Sequence, residues 1–285
     1  YLQHLTAYLP VMKKTLIFVV AALLAACSKP DHLTILHTND THSQVEPNAK
    51  NLGGYARRMG QIEQERKADP NLLLVDAGDF SQGSPFFNFF RGRVELDAMN
   101  RMGYDCGTLG NHEFDNGLDT LAAVLKNAQF PIVCANYDFT GTALENRIKP
   151  FTIVNKGGLK IGIFGLGCDP KGIISDKNFA PAKYLAPYPE LAQAMVDTLR
   201  AQNCDVVICL SHMGTFGKAP EDFSDVGLAH STRGIDVIIG GHTHELHVNH
   251  FEPNLDGDSI PIAQMTKSGV YLGKIMLLLD DKNEK

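Results

Sequence analysis

Leu33-Thr34-Ile35-Leu36-His37-Thr38-Asn39-Asp40-Thr41-His42 is an apolar run that ends in an aspartate and a histidine two residues apart. The run reads as a short buried strand over residues 33–37, with its metal-binding side chains placed where the strand stops. Four more segments repeat the pattern: 72–75 before Asp79, 105–109 before Asn111 and His112, 206–210 before His212, and 235–239 before His242 and His244. In open α/β sheets, ligands collect in the crevice beyond the carboxyl ends of the strands. Clusters far apart in sequence can therefore converge, and their common placement marks a site.

The donor set narrows the chemistry. It offers imidazole, carboxylate and one amide but no cysteine, which suits borderline or hard divalent ions in a hydrolytic site better than a thiolate structural zinc. Asp40 and His42 share one face of an extended segment and can share an ion. His242 and His244 repeat that spacing inside Gly240-Gly241-His242-Thr243-His244, where paired glycines permit a sharp turn. Asp79, in Asp76-Ala77-Gly78-Asp79, has two oxygens to give and is the natural bridge between two ions. Two ions roughly 3.5–4 Å apart activate water and clamp the attacked group with its leaving oxygen. Two dications against two aspartates leave excess positive charge, so phosphate is the expected reacting group.

Thr38-Asn39-Asp40-Thr41-His42, Gly78-Asp79, Gly110-Asn111-His112-Glu113-Phe114-Asp115, Ser211-His212-Met213-Gly214 and Gly240-Gly241-His242-Thr243-His244 resemble the ordered signature of calcineurin-like metallophosphoesterases. The extended third motif and Leu36-His37-Thr38-Asn39-Asp40 are similar to the 5'-nucleotidase and UDP-sugar hydrolase branch. The resemblance implies one ion on Asp40, His42, Asp79 and His244, and a second on Asp79, Asn111, His212 and His242. It implies a catalytic dyad of His112 and Asp115, and zinc, manganese or cobalt as the metals. Some bacterial members carry glutamine where this chain has His244, which leaves the preferred metal open. The implied fold is a four-layer α/β/β/α sandwich of two mixed sheets, in a single domain over residues 32–282. Within the same enzyme class, phosphodiesters including cyclic nucleotides, UDP-sugars and a sulfur-ester thiohydrolase activity stand beside nucleotide monoesters. A metal-loaded lipoprotein that only binds is the alternative from another class, and intact His112 and Asp115 speak against it.

Blander readings apply elsewhere. His37, His230, His247 and His250 are lone histidines, expected to be satisfied structural residues. Glu113 reads either as a carboxylate orienting a ligand or as a helix-start acid.

The chain has 285 residues, 44% of them hydrophobic and 20% charged, ample for one large globular domain. Its net charge of −6 comes with no basic run interleaved with aromatics, which argues against nucleic-acid binding. Met12-Lys13-Lys14, the apolar stretch 15–26 and Leu24-Ala25-Ala26-Cys27 read as an export signal ending in a bacterial lipobox, with residues 1–11 upstream of the true start. Lipidation of Cys27 would anchor the chain to an envelope membrane through a tether over 27–31. The remaining cysteines, Cys106, Cys134, Cys168, Cys204 and Cys209, lack Cys-x-x-Cys spacing and are expected to be buried free thiols. Helices are expected over 55–67, 94–102, 118–127 and 191–202. Asn155-Lys156-Gly157-Gly158 signals a hairpin, and two strands over 260–265 and 270–279 flank Lys267-Ser268-Gly269. Full-length members of the resembled branch carry a second domain that reads the base. The expectation is that a separate chain supplies it, or that the base is read little.

Overall fold

The computed structural model describes residues 30–186, 188–217 and 224–279. The expected signal, Cys27 and most of the tether lie outside the described residues. In chain order the strands are β1 (His32–Thr38), β2 (Leu73–Asp76), β3 (Cys106–Gly107), β4 (Tyr137–Asp138), β5 (Phe151–Lys156), β6 (Leu159–Gly167), β7 (Lys183–Tyr184), β8 (Val206–His212), β9 (Val237–Ile239), β10 (Leu246–Pro253), β11 (Ser259–Met265) and β12 (Gly273–Leu278). One sheet has the order β12-β1-β2-β3 and another β10-β11-β9-β8-β6-β5, with β4 and β7 forming a small ribbon. In the first sheet β1, β2 and β3 are parallel and β12 is antiparallel. In the second, β6, β8, β9 and β11 are parallel, and antiparallel β5 and β10 close the two edges.

The strands read as unbroken apolar runs because both of their faces are covered. Ile35 and Val75 meet Ile163, Ile208, Leu210, Val237 and Ile239 between the sheets. Leu36 and Leu74, of opposite parity, pack in a second core with Ile62, Leu96, Met99 and Leu121 of helices Tyr55–Ala68, Arg93–Met102 and Leu118–Leu125. Phe164, Val207, Cys209 and Ile238 turn the other way, toward helices Tyr188–Ala201 and Asp225–Ser231. The result is the expected α/β/β/α order of layers, built from two mixed sheets.

Several elements depart from expectation. The strand expected over 105–109 shrinks to β3, which pairs with β2 on one side and makes a single parallel bridge, Gly107 to Ile132, on the other. The strands expected over 260–265 and 270–279 part company: β11 pairs with β9 and β10, and β12 crosses to the other sheet to pair with β1. Helix Pro85–Phe90, with Ser84 accepting from the Phe86 N–H, and strand β10 were not anticipated. The hairpin forms with Gly157 and Gly158 at φ 57 and 87, backbone that suits glycine. Cys106, Cys134, Cys168, Cys204 and Cys209 are buried and free. Among the described residues no helix is long and apolar enough to cross a membrane.

Candidate metal centre

The carboxyl ends of β1, β2, β3, β8 and β9 open on one crevice, and the structure brings all seven sequence-derived donors to it. His42 Nε2 lies 3.0 Å from His244 Nε2. Asp40 Oδ1 is 3.8 Å from His42 Nε2, 3.3 Å from His244 Nε2 and 3.8 Å from His212 Nε2. Asp79 Oδ2 is 3.1 Å from His212 Nε2, and His242 Nδ1 is 2.9 Å from Asn111 Oδ1. Three overlapping sets have ligand atoms close enough to share an ion: Asp40, His42 and His244; Asp40, Asp79 and His212; and His42, Asp79 and His112.

The backbone at the donors is unusual. Asp40, His42, Asp79, His242 and His244 have φ of 47, 43, 54, 75 and 59. Left-handed backbone is uncommon outside glycine, although aspartate and histidine adopt it more readily than most. Each corner reverses the chain just past a strand end, so two side chains from one short loop converge instead of trailing along the strand. The neighbouring loops are packed tightly as well: a Cβ at Gly110 would run into the Asp79 carboxylate.

The donors fit a cation. His212 Nδ1 lies 2.7 Å from the Ala77 carbonyl, which can only accept, so Nδ1 carries one proton and Nε2 is the position that takes up either a second proton or a metal ion. That fully buried Nε2 has no hydrogen-bond partner among the described residues and faces two carboxylates. Burial opposes charge on His212, yet the Asp79 and Asp40 carboxylates outweigh it and lift its pKa to about 10. A position that draws a proton so strongly suits a metal ion. Burial, reinforced by His212, holds His242 down at about 4, so it is a neutral donor at pH 7. Burial also lowers the pKa of His42. The Asp79 carboxyl, although buried, is held well below the usual carboxylate range by His212.

His112 stands beside this cluster. Its Nδ1 is 2.9 Å from Asp115 Oδ2, and its backbone N–H donates to Asp79 Oδ1 at 2.8 Å. The hydrogen bond to Asp115 raises the His112 pKa against the effect of burial. Asn178 donates to the Asp115 carbonyl at 2.9 Å and steadies that turn.

Three supporting residues set the geometry. Glu113 is buried and accepts N–H bonds from Asp79 at 2.9 Å, Ser81 at 3.0 Å and Gly110 at 2.7 Å, tying the loops after β2 and β3 together. Burial and the Asp79 carboxylate push its pKa up to about 7, while the Gly110 and Ser81 N–H groups pull it down. Asn39 donates to Asp40 Oδ2 at 2.7 Å and to the Thr266 carbonyl at 2.9 Å, and accepts from the Met265 N–H at 2.8 Å. Gln264 donates to the Gly241 carbonyl at 3.0 Å and accepts from the Glu245 N–H at 2.7 Å. Asn39 and Gln264 escaped the sequence reading because neither carries metal or acid–base chemistry; Asn39 adjoins Asp40, which was the available signal.

The lone histidines diverge from one another. His37 is fully buried, but neither ring nitrogen has a partner among the described residues, and burial lowers its pKa to about 4. It is structural without being satisfied, a correction to the sequence reading. His230, His247 and His250 are all paired with carboxylates.

Two mixed sheets between helical layers, with hard and borderline donors gathered at the strand ends, define the metallo-dependent phosphatase class. Residues 33–246 match the profile described as Calcineurin-like phosphoesterase, and the chain belongs to that family. It is 35% identical over 290 residues to a snake venom 5'-nucleotidase of Gloydius brevicauda, covering 92% of this chain and 47% of that one. The chain thus spans about half the length of the curated relatives it matches. Among solved structures it is similar to a 5'-nucleotidase precursor from Thermus thermophilus, with TM-score 0.76 and 31% identity, covering 87% of this chain and 54% of that one. It is similar also to the calcineurin-like phosphoesterase YfkN from Bacillus subtilis, with TM-score 0.74 and 32% identity, covering 88% and 86%.

Proposed function

We propose that this chain hydrolyses phosphate monoesters, with nucleoside 5'-monophosphates as substrate. The observation that carries the reading is the His112–Asp115 pair standing beside the convergent donors, since a site that only binds metal has no use for an oriented acid. The 5'-nucleotidases among its relatives support the nucleotide as the ester.

On this reading Asp40, His42, Asp79 and His244 would hold one ion and Asp79, Asn111, His212 and His242 a second. Zinc, manganese or cobalt bound there would supply positive charge for the phosphate and lower the pKa of water toward neutrality. Asp115 fixes the tautomer and orientation of His112 by accepting from Nδ1, which leaves Nε2 of the imidazolium to protonate the leaving ester oxygen. Glu113 and Asn39 keep Asp79 and Asp40 in place while charge builds on the phosphoryl oxygens. Leu24-Ala25-Ala26-Cys27 supports lipidation at Cys27 and placement at a bacterial envelope membrane.

The experiment measures phosphate release from AMP and an aryl phosphate, and UMP release from a UDP-sugar, by protein dialysed against chelator and then supplied with manganese, zinc or cobalt. Metal-dependent release from AMP is the expected result. Turnover of the UDP-sugar alone would move the assignment to a diesterase, and no turnover with any metal would refute it.

A further inference from the structure

Strand β10 places together side chains that a regular strand would separate. Side chains alternate along a strand, so His247 and His250, three residues apart, should point to opposite faces. The register of β10 against β11 shifts between these two residues, and Asn249 within the shift has φ 55. A bulge of this kind inserts an extra residue and re-aims the side chains beyond it. His247, His250 and Glu252 consequently lie on one side, half-buried, while Leu246, Val248 and Phe251 are exposed on the other.

The ring nitrogens of the two histidines are accounted for atom by atom. His247 Nε2 is 3.2 Å from Glu245 Oε2, and His250 Nε2 is 2.7 Å from Glu252 Oε1. An ionised carboxylate only accepts, so each Nε2 carries the proton and each neutral ring presents a bare lone pair at Nδ1. Those two Nδ1 atoms face each other at 3.1 Å. Two lone pairs at that distance repel unless a cation lies between them. Two nitrogens bound to one tetrahedral zinc stand about 3.3 Å apart, given zinc–nitrogen bonds of ~2.0–2.1 Å. An imidazole whose far N–H is donated to a carboxylate is also the usual arrangement around a metal, because it fixes the tautomer and raises basicity.

The surroundings suit a cation. Glu245 and Glu252 bring two negative charges, and each is anchored from a second direction: Thr243 Oγ1 donates to Glu245 at 3.0 Å, and His230 Nε2 lies 2.9 Å from the second oxygen of Glu252. Phe216 covers the pair, stacked on His250 with ring centroids 5.6 Å apart and edge-on to His247 at 5.5 Å. The histidine side chains retain 14% and 17% of their exposure, which leaves an entry path.

We propose that His247 Nδ1 and His250 Nδ1 hold a further divalent ion, of the borderline class that prefers imidazole, zinc or copper(II), with water completing its shell. The site is separate from the donors at the strand ends. Its ion fastens the bulge at the edge strand of the larger sheet and, through Phe216, the loop after β8.

The test is zinc content after equilibrium dialysis at a buffered free concentration, comparing the unaltered chain with His247→Ala and His250→Ala. About one zinc ion per chain fewer is expected in each variant, with AMP turnover unchanged. Equal zinc content in all three would overturn the proposal. Should either variant fail to fold, nitrogen-15 spectra of the histidine rings in the unaltered chain decide the matter. Zinc should move the Nδ1 resonances of both rings and leave both Nε2 atoms protonated. A proton shared between the rings, with no zinc-dependent shift, would refute the site.

Discussion

Asn39→Ala removes no metal donor, yet the structure makes it one of the costlier changes near the site. Its amide is buried and makes three bonds: to Asp40 Oδ2 at 2.7 Å, to the Thr266 carbonyl at 2.9 Å, and from the Met265 N–H at 2.8 Å. Truncation orphans the buried Met265 N–H and the half-buried Thr266 carbonyl, at up to about 1–3 kcal/mol each, and deletes a charge-assisted bond of about 1.5–3 kcal/mol. Water entering the vacated space would satisfy part of this, so the expected destabilisation is about 3–6 kcal/mol. A second effect arises from position. Asp40 also accepts the His242 N–H at 3.1 and 3.0 Å, so a loosened Asp40 carboxylate disturbs the loop that carries two other donors. Loss of such an orienting partner lowers metal affinity about 10–100-fold. Urea unfolding of the metal-free chain and competition with a fluorescent chelator measure the two effects separately. Stability within about 1 kcal/mol of the unaltered chain, together with unchanged metal affinity, would refute the reasoning.

The remaining expectations concern the proposed roles. Asp79→Asn should deplete both ions after dialysis, whereas His244→Ala should mainly empty one; retention of two ions by Asp79→Asn would exclude the bridging role. His112→Ala should keep its metals while kcat on AMP falls by roughly 10² to 10⁴, and unchanged turnover on that poor leaving group would exclude an acid at this position. Asp115→Asn replaces the carboxylate that raises the His112 pKa with a neutral amide. Since the acid works as imidazolium, activity is lost as pH rises through that pKa, and the alkaline limb of kcat/KM should move to lower pH in the variant. A limb that stays in place would show that His112 does not supply the proton.

The donors at the strand ends were legible because residue type and placement coincided: each of Asp40, Asp79, Asn111, His212 and His242 comes after an apolar run. Their supports were not. Glu113 could be singled out, but not the three N–H groups it gathers, since those come from backbone amides that no side-chain pattern encodes. The four-layer sandwich was legible through the family resemblance that the motifs carry, whereas the separation of β11 from β12 depended on pairings between distant segments. The edge strand β10 was missed for a local reason. Its bulge breaks the period-two alternation on which strand reading relies, and it brings together two histidines whose sequence spacing says they are apart.

The left-handed corners at Asp40, His42, Asp79, His242 and His244 bear on how such a centre can be transplanted. A designer who copies these side chains onto the ends of ordinary strands would obtain the right inventory aimed in the wrong directions. Each corner costs about 1–2 kcal/mol in an unassisted L-residue, so a host scaffold must already enforce the reversed backbone before any donor is added. Glycine is the residue with which to prepare such a host, because it takes the corner freely. Donors can then be exchanged in one at a time, with every step read as backbone cost against chelation gained.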